Sequence, residues 1–217
     1  MKRTIAVMLL AVMLLGVLSA CVPSGNKNLM QQELDGSAET YEGTEIHLSD
    51  TEITVNGEAI STDADAAVYA ANDIVYYESG KDFTYGEGEE KDSHTEEEAN
   101  AHTVVHITKA GQYVLSGSLS KGQIAVDLGD DAEEDPNAVV TLVMNGVNIT
   151  CDVAPAVIFY NVYECGEKDE EKATMDVDLT NAGARVIIAN NSENSVKGSH
   201  VAKIYKPDTV ELTEDGK

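Results

Sequence analysis

From about Tyr41 onward, short apolar runs alternate with turn residues. IHLSD (46–50), EITVNGEAI (52–60) and AAVYAANDIVYY (66–77) are rich in β-branched and aromatic residues. Asn-Gly and Asn-Asp break them, a pattern that predicts strands joined by tight turns. The pattern sharpens after Thr103, where VVHI, YVLSG, QIAVDL, VVTLVM and VNIT are each four to six residues long. Gly, Asn, Asp or Lys-Gly separates them. APAVIFYNV, ARVIIAN, HVAKIY and TVELT continue the series. Two polar inserts interrupt it, Glu78 to Asn100 and Glu164 to Asp178, and HTEEEANAH in the first could support one helical turn. No stretch here has a convincing helical period, so the expected class is all-β. Strands this short, joined by bends rather than wide loops, favour a parallel β-helix, with a β-sandwich as the alternative. Asn145-Gly146, flanked by apolar runs, suits a corner between two faces of one coil. In a hairpin the same pair would form a type I′ turn.

The first thirty residues read differently. Lys2 and Arg3 precede an uncharged apolar run from Ile5 to Val17, and Leu18-Ser19-Ala20-Cys21 places small residues before a cysteine. So short a run behind a positive start reads as a signal peptide rather than a spanning helix. Leu18 to Cys21 look like the lipobox of bacterial lipoproteins, in which Cys21 would carry the lipid and anchor the chain on the outer face of the membrane. The expected organisation is a signal over 1–20, a polar tether over 21–40, a short-strand region with an acidic insert over 41–102, and β-coils over 103–217.

Charge narrows the partners. Removing Lys2 and Arg3 with the signal leaves 12 basic against 39 acidic residues, a net charge near −27. A polyanion partner needs a basic surface, so ordinary nucleic-acid binding is excluded. Docking on anionic lipid through the protein surface is disfavoured for the same reason, which leaves a lipid anchor as the membrane contact. So acidic a surface also invites divalent cations, calcium first among those outside cells. Apart from Cys21, the cysteines are Cys151 and Cys165, in a segment whose export permits a disulfide. Their spacing fits a closed loop and equally two small apolar packers.

The order of several motifs resembles one family. ITKAGQYVLSG (Ile107 to Gly117), GQIAV (Gly122 to Val126), VTLVMNGVNIT (Val140 to Thr150) and APAVI (Ala154 to Ile158) are similar to the bacterial carbohydrate-binding lipoproteins with a pectate-lyase-like right-handed parallel β-helix. Met144 stands where that family has leucine, a conservative packing change. The resemblance covers roughly Thr103 to Asn191. It implies an extracellular, non-catalytic β-helix that binds cellulosic or pectic polysaccharide with calcium along its coils. Members run longer, which implies further coils beyond Lys217.

Candidate residues follow. With no Trp, the sugar-stacking candidates are Tyr113, Tyr160 and Tyr163 in the recognisable coils. The candidate calcium ligands are acids at turns: Asp127, Asp130 and Asp131, with Glu133, Glu134 and Asp135 beside them, then Asp152 near Asn148. Asp176 and Asp178 alternate in MDVDL and would face one side of a strand. A polysaccharide lyase needs a base, and the lone arginine past the signal, Arg185, reads as a surface charge. Two further readings stay open: a structural or adhesive surface protein without glycan binding, and a lyase with its active site in coils beyond this sequence.

Overall fold

A computed structural model describes residues 40–87, 90–166 and 177–199. Cys21, Asp176 and the predicted signal and tether lie outside them. The described strands are β1 (Thr44–Leu48), β2 (Thr54–Val55), β3 (Glu58–Ala59), β4 (Val68–Ala71), β5 (Thr103–Ile107), β6 (Gly111–Leu119), β7 (Gly122–Asp127), β8 (Val140–Thr150), β9 (Val157–Asn161), β10 (Ala184–Ile188) and β11 (Ser195–Lys197). The described α-helix is α1 (Glu96–Asn100), in the segment whose composition allowed one turn. A capping box starts it: the Thr95 side chain accepts from the Glu98 N–H, and the Glu98 carboxylate accepts from the Thr95 N–H. The class is all-β, as the apolar runs predict.

The strands form two sheets. One has the order β10-β8-β6-β1-β2-β3, with β11 also on β8, and the other the order β4-β5-β7-β9. From β5 to β10 the chain alternates between them. β5, β7 and β9 pair in parallel in the smaller sheet, and β6, β8 and β10 in parallel in the larger. β4 adds to β5 antiparallel, and β2 and β3 form an antiparallel hairpin beside β1.

The in-register pairing stacks like residues. Ile46, Leu115 and Met144 share one rung position, and Val105 and Ile124 another. Together with Ile107, Val126, Leu142 and Ile149, these side chains form one buried cluster drawn from both sheets. Each fully buried aliphatic side chain contributes about 1.5–3 kcal/mol over its exposed state. A second, smaller cluster of Val104, Ala125 and Ile158 lies apart from the first, with Ile74, Val75 and Tyr160 packed against it.

Local chemistry explains the turns. Asn56 and Gly57 both take positive φ (52° and 82°), the type I′ geometry that Asn-Gly favours between β2 and β3. The second Asn-Gly behaves differently from the expected corner. β8 runs unbroken through Asn145-Gly146, and the register against β6 shifts there, with Leu115 facing Met144 and Gly117 facing Val147. Two residues then oppose one, which is a β-bulge. The amides of Gly146 and Val147 that it turns away both donate to Asn194 Oδ1, at 3.0 and 2.8 Å. The bulge divides β8 into a half that pairs β10 and a half that pairs β11. Across from it, Gly117 (φ 87°) has no alternative residue, because a Cβ there would run into the Leu48 carbonyl.

Candidate functional site

The outer face of the smaller sheet begins as a row of side chains. Tyr69 on β4, His106 on β5, Ala125 on β7 and Ile158 on β9 are successive register partners. In-register strands bring neighbouring rings face to face, and the Tyr69 and His106 rings stack with centroids 4.5 Å apart and planes 7° from parallel. Beyond His106 the row holds only the methyl group of Ala125, so the sheet surface drops. A bulge between β7 and β9 pairs Val126 with Phe159 and Asp127 with Asn161, leaving Tyr160 as the extra residue.

The result is a groove of about 520 Å³ lined by Tyr69, Asp73, His106, Ala125, Asp127 and Tyr160. Val75 closes part of it. This residue belongs to a strap that crosses the sheet's outer face and is held by one side chain: Gln123, fully buried, accepts from the Val75 N–H (2.9 Å) and donates to the Val75 and Pro155 carbonyls (2.8 Å each). The strap positions Asp73, whose Oδ1 takes a 2.7 Å hydrogen bond from His106 Nε2. His106 is buried while the Asp73 side chain is 62% exposed. Asp127 is fixed by the Asn161 amide (2.8 Å) and the Gly129 N–H (2.9 Å), both to Oδ1. Burial pushes the Tyr69 hydroxyl pKa up, and the charges of Asp73 and Asp127 add to it. Flat rings beside fixed hydrogen-bonding groups match the two faces of a pyranose, apolar C–H and polar hydroxyl.

A second hollow, of about 240 Å³, is lined by Glu87, Lys91, Asp92, Ser93, His94, Asp152, Val153 and Ser199. Glu87 is 8% exposed, and neither carboxylate oxygen has a hydrogen-bond partner. Burial pushes its pKa up to about 7; the nearby Tyr77 backbone amide opposes the shift, and the charge of Asp92 adds to it. Next to it the Tyr76 hydroxyl bonds His94 Nε2 at 2.8 Å, and burial with the Glu87 charge raises that hydroxyl to about 12. The Cys151 thiol is raised chiefly by burial.

The residues expected from the sequence divide. Tyr160 and Asp127 come together in the groove. Tyr113 does not join them: it is 4% exposed within the core cluster, and its hydroxyl donates to the Lys109 carbonyl at 2.7 Å. Tyr163 is half-buried outside the groove lining, its backbone joined to Ala138 and Gly183. Asp130 and Asp131 are exposed side by side on one turn, Asp152 is exposed on another, and Asp178 caps a 3-10 turn, rather than lying on the expected strand, by accepting from the Thr180 N–H. Among the described residues no three His, Cys, Asp or Glu side chains group in a way that could hold a metal ion. Cys151 and Cys165 are free thiols, the first buried as a small apolar packer, so the disulfide that the spacing allowed is not formed. Arg185 donates to the Thr180 and Ala182 carbonyls.

Sequence reasoning missed Tyr69 and Asp73. The outward alternation of Tyr69 within VYAA was a usable signal, but its pairing with His106 depends on a register across 37 residues of chain.

Residues 101–203, just under half of the chain, match the family model described as carbohydrate-binding domain-containing protein. His106, Ala125, Asp127 and Tyr160 fall inside that span. No curated protein and no solved structure matches the chain.

Proposed function

We propose that this chain is a non-catalytic polysaccharide-binding protein, held on the extracytoplasmic face of a bacterial membrane by a lipid on Cys21. Its sugar site is the groove between His106 and Tyr160. The observation that carries the reading is the stacked Tyr69–His106 pair beside the gap over Ala125, in a region that matches a carbohydrate-binding domain family. The non-catalytic reading is supported by the family description of residues 101–203, which names binding. The alternation of β5 to β10 between two parallel-paired sheets supports reading 103–199 as coils of a parallel β-helix. Such coils present repeated rungs to an extended polymer. Localisation rests on the charged start, apolar run and Leu18 to Cys21 motif.

Affinity electrophoresis in gels containing cellulose derivatives, pectin or polygalacturonate, with and without calcium, tests the function. Retardation on at least one glycan is expected, and His106→Ala and Tyr160→Ala should each lower affinity about tenfold, the equivalent of about 1.4 kcal/mol. Tyr77→Ala, at an exposed ring outside the groove, should leave affinity unchanged. No retardation on any glycan would sink the proposal. Calcium-dependent retardation would assign the cation to a bridge completed by the polysaccharide. Radiolabelled palmitate incorporation that survives in Cys21→Ser would remove the anchor.

A further inference from the structure

We infer that the groove sorts sugars by charge: it takes pyranose units bearing a protonated amine ahead of neutral units, and it rejects uronates. The inference rests on the binding site proposed above. Two carboxylates line the groove, and no lysine or arginine is among its lining residues. The nearest positive candidate is His106, whose Nε2 is committed to Asp73. Asp127 accepts only from neutral donors in these contacts, the Asn161 amide and the Gly129 N–H. Both carboxylates accept these hydrogen bonds through Oδ1. The field of the pair reaches the groove wall, where it acts on the Tyr69 hydroxyl.

A sugar ammonium brings three N–H donors and a positive charge to such a site. A hydroxyl at the same ring position brings one donor and no charge, and a uronate brings a like charge into a half-enclosed cleft. The rings that stack the apolar face are indifferent to this choice, so charge decides among sugars of equal shape. This excludes the pectic half of the sequence-based expectation and retains the neutral half as the weaker ligand.

A chain of net charge −25 attracts any polycation, so the test uses short oligomers and groove variants. Isothermal titration of the purified chain compares a glucosamine tetrasaccharide, its N-acetylated counterpart, a cellotetraose and a tetragalacturonate, in mildly acidic buffer that keeps the amines protonated. The amine-bearing tetrasaccharide should bind at least tenfold tighter than its acetylated counterpart, with no binding of the uronate. Asp73→Asn with Asp127→Asn should bring that ratio near one while binding of the acetylated form persists. Asp73→Asn alone, at an exposed side chain, should lower the ratio without disturbing the fold. Equal affinity of the amine and acetylated forms, tighter uronate binding, or a preference that survives the double substitution would each overturn the charge selection and leave the groove as a binding site. Loss of all four ligands would overturn the binding reading itself.

Discussion

The groove and the Glu87 hollow are built from the same residue types, a tyrosine, a histidine and carboxylates, yet they hold their charge in opposite ways. In the groove, Asp73 and Asp127 are open to solvent or hydrogen-bonded and stay available to a ligand. In the hollow, Glu87 is buried, and its pKa is raised to about 7 despite the nearby Tyr77 backbone amide. The difference lies in which groups reach each carboxylate. The β7–β9 register brings Asn161 to Asp127, whereas burial dominates at Glu87 and the charge of Asp92 adds to it. Partnered charge serves recognition, and unpartnered buried charge makes stability depend on pH.

The largest effect that would break this comparison is on stability. Because the folded value of Glu87 is raised from 4.5 to about 7, the carboxyl costs nothing while both states are protonated. The penalty begins above pH 4.5, where the unfolded chain releases its proton, grows to about pH 7 and is constant beyond. Its full size is about 3 kcal/mol. Urea unfolding across this range should show wild-type stability falling relative to Glu87→Gln, and parallel curves would refute the assignment. Exposed acids such as Asp178 and Glu98 work in the opposite direction. Hydrogen bonds lower their pKa values, so the stability they add is lost only as pH falls into the acid range.

Next in size, Ala125→Leu should fill the floor of the groove and cost at least tenfold in sugar affinity, about 1.4 kcal/mol. Ala125 is buried against Val104 and Ile158, so the added bulk should also lower the thermal midpoint, and full affinity in a folded variant would remove Ala125 from the groove floor. In the hollow, Tyr76→Phe removes the bond to His94 and should destabilise by about 1 kcal/mol in chemical denaturation. The smallest effect belongs to Asp73→Asn, whose exposed pair with His106 should change stability by no more than about 0.5 kcal/mol. A larger loss would give the groove carboxylate the structural role here assigned to Glu87.

How far the sequence speaks for each region follows from the range of the contacts. The runs VVHI, QIAVDL and VVTLVM announce β5, β7 and β8, because inward alternation and β-branching are local properties. Asn56-Gly57 announces its hairpin for the same reason. Asn145-Gly146 carries an identical local signal but sits in a bulge, since only the partner strand β6 decides whether the chain turns or continues. Tyr113 and Tyr160 look alike in the motifs, and the parity of each position in its strand sends one into the core and the other to the groove. Glu87 lies in an acidic insert that reads as solvated loop. It lines its hollow with Asp152 and Val153, which are distant in sequence. The sequence therefore indicates the scaffold and half of the groove, but not the hollow.

The alternation between sheets also has a kinetic consequence. Thr103 pairs with Gly122 across a short loop, Gly111 with Val140 across a longer one, and Val140 with Ala184 across a longer one still. Loop-closure entropy rises with each, so among the parallel pairs that of β5 with β7 is the least costly place to begin. Each later rung can form only on the edge left by the one before it. Folding is expected to spread outward from that first rung in one dimension, with the edge of β10 and β11 the last to order and the first to fray.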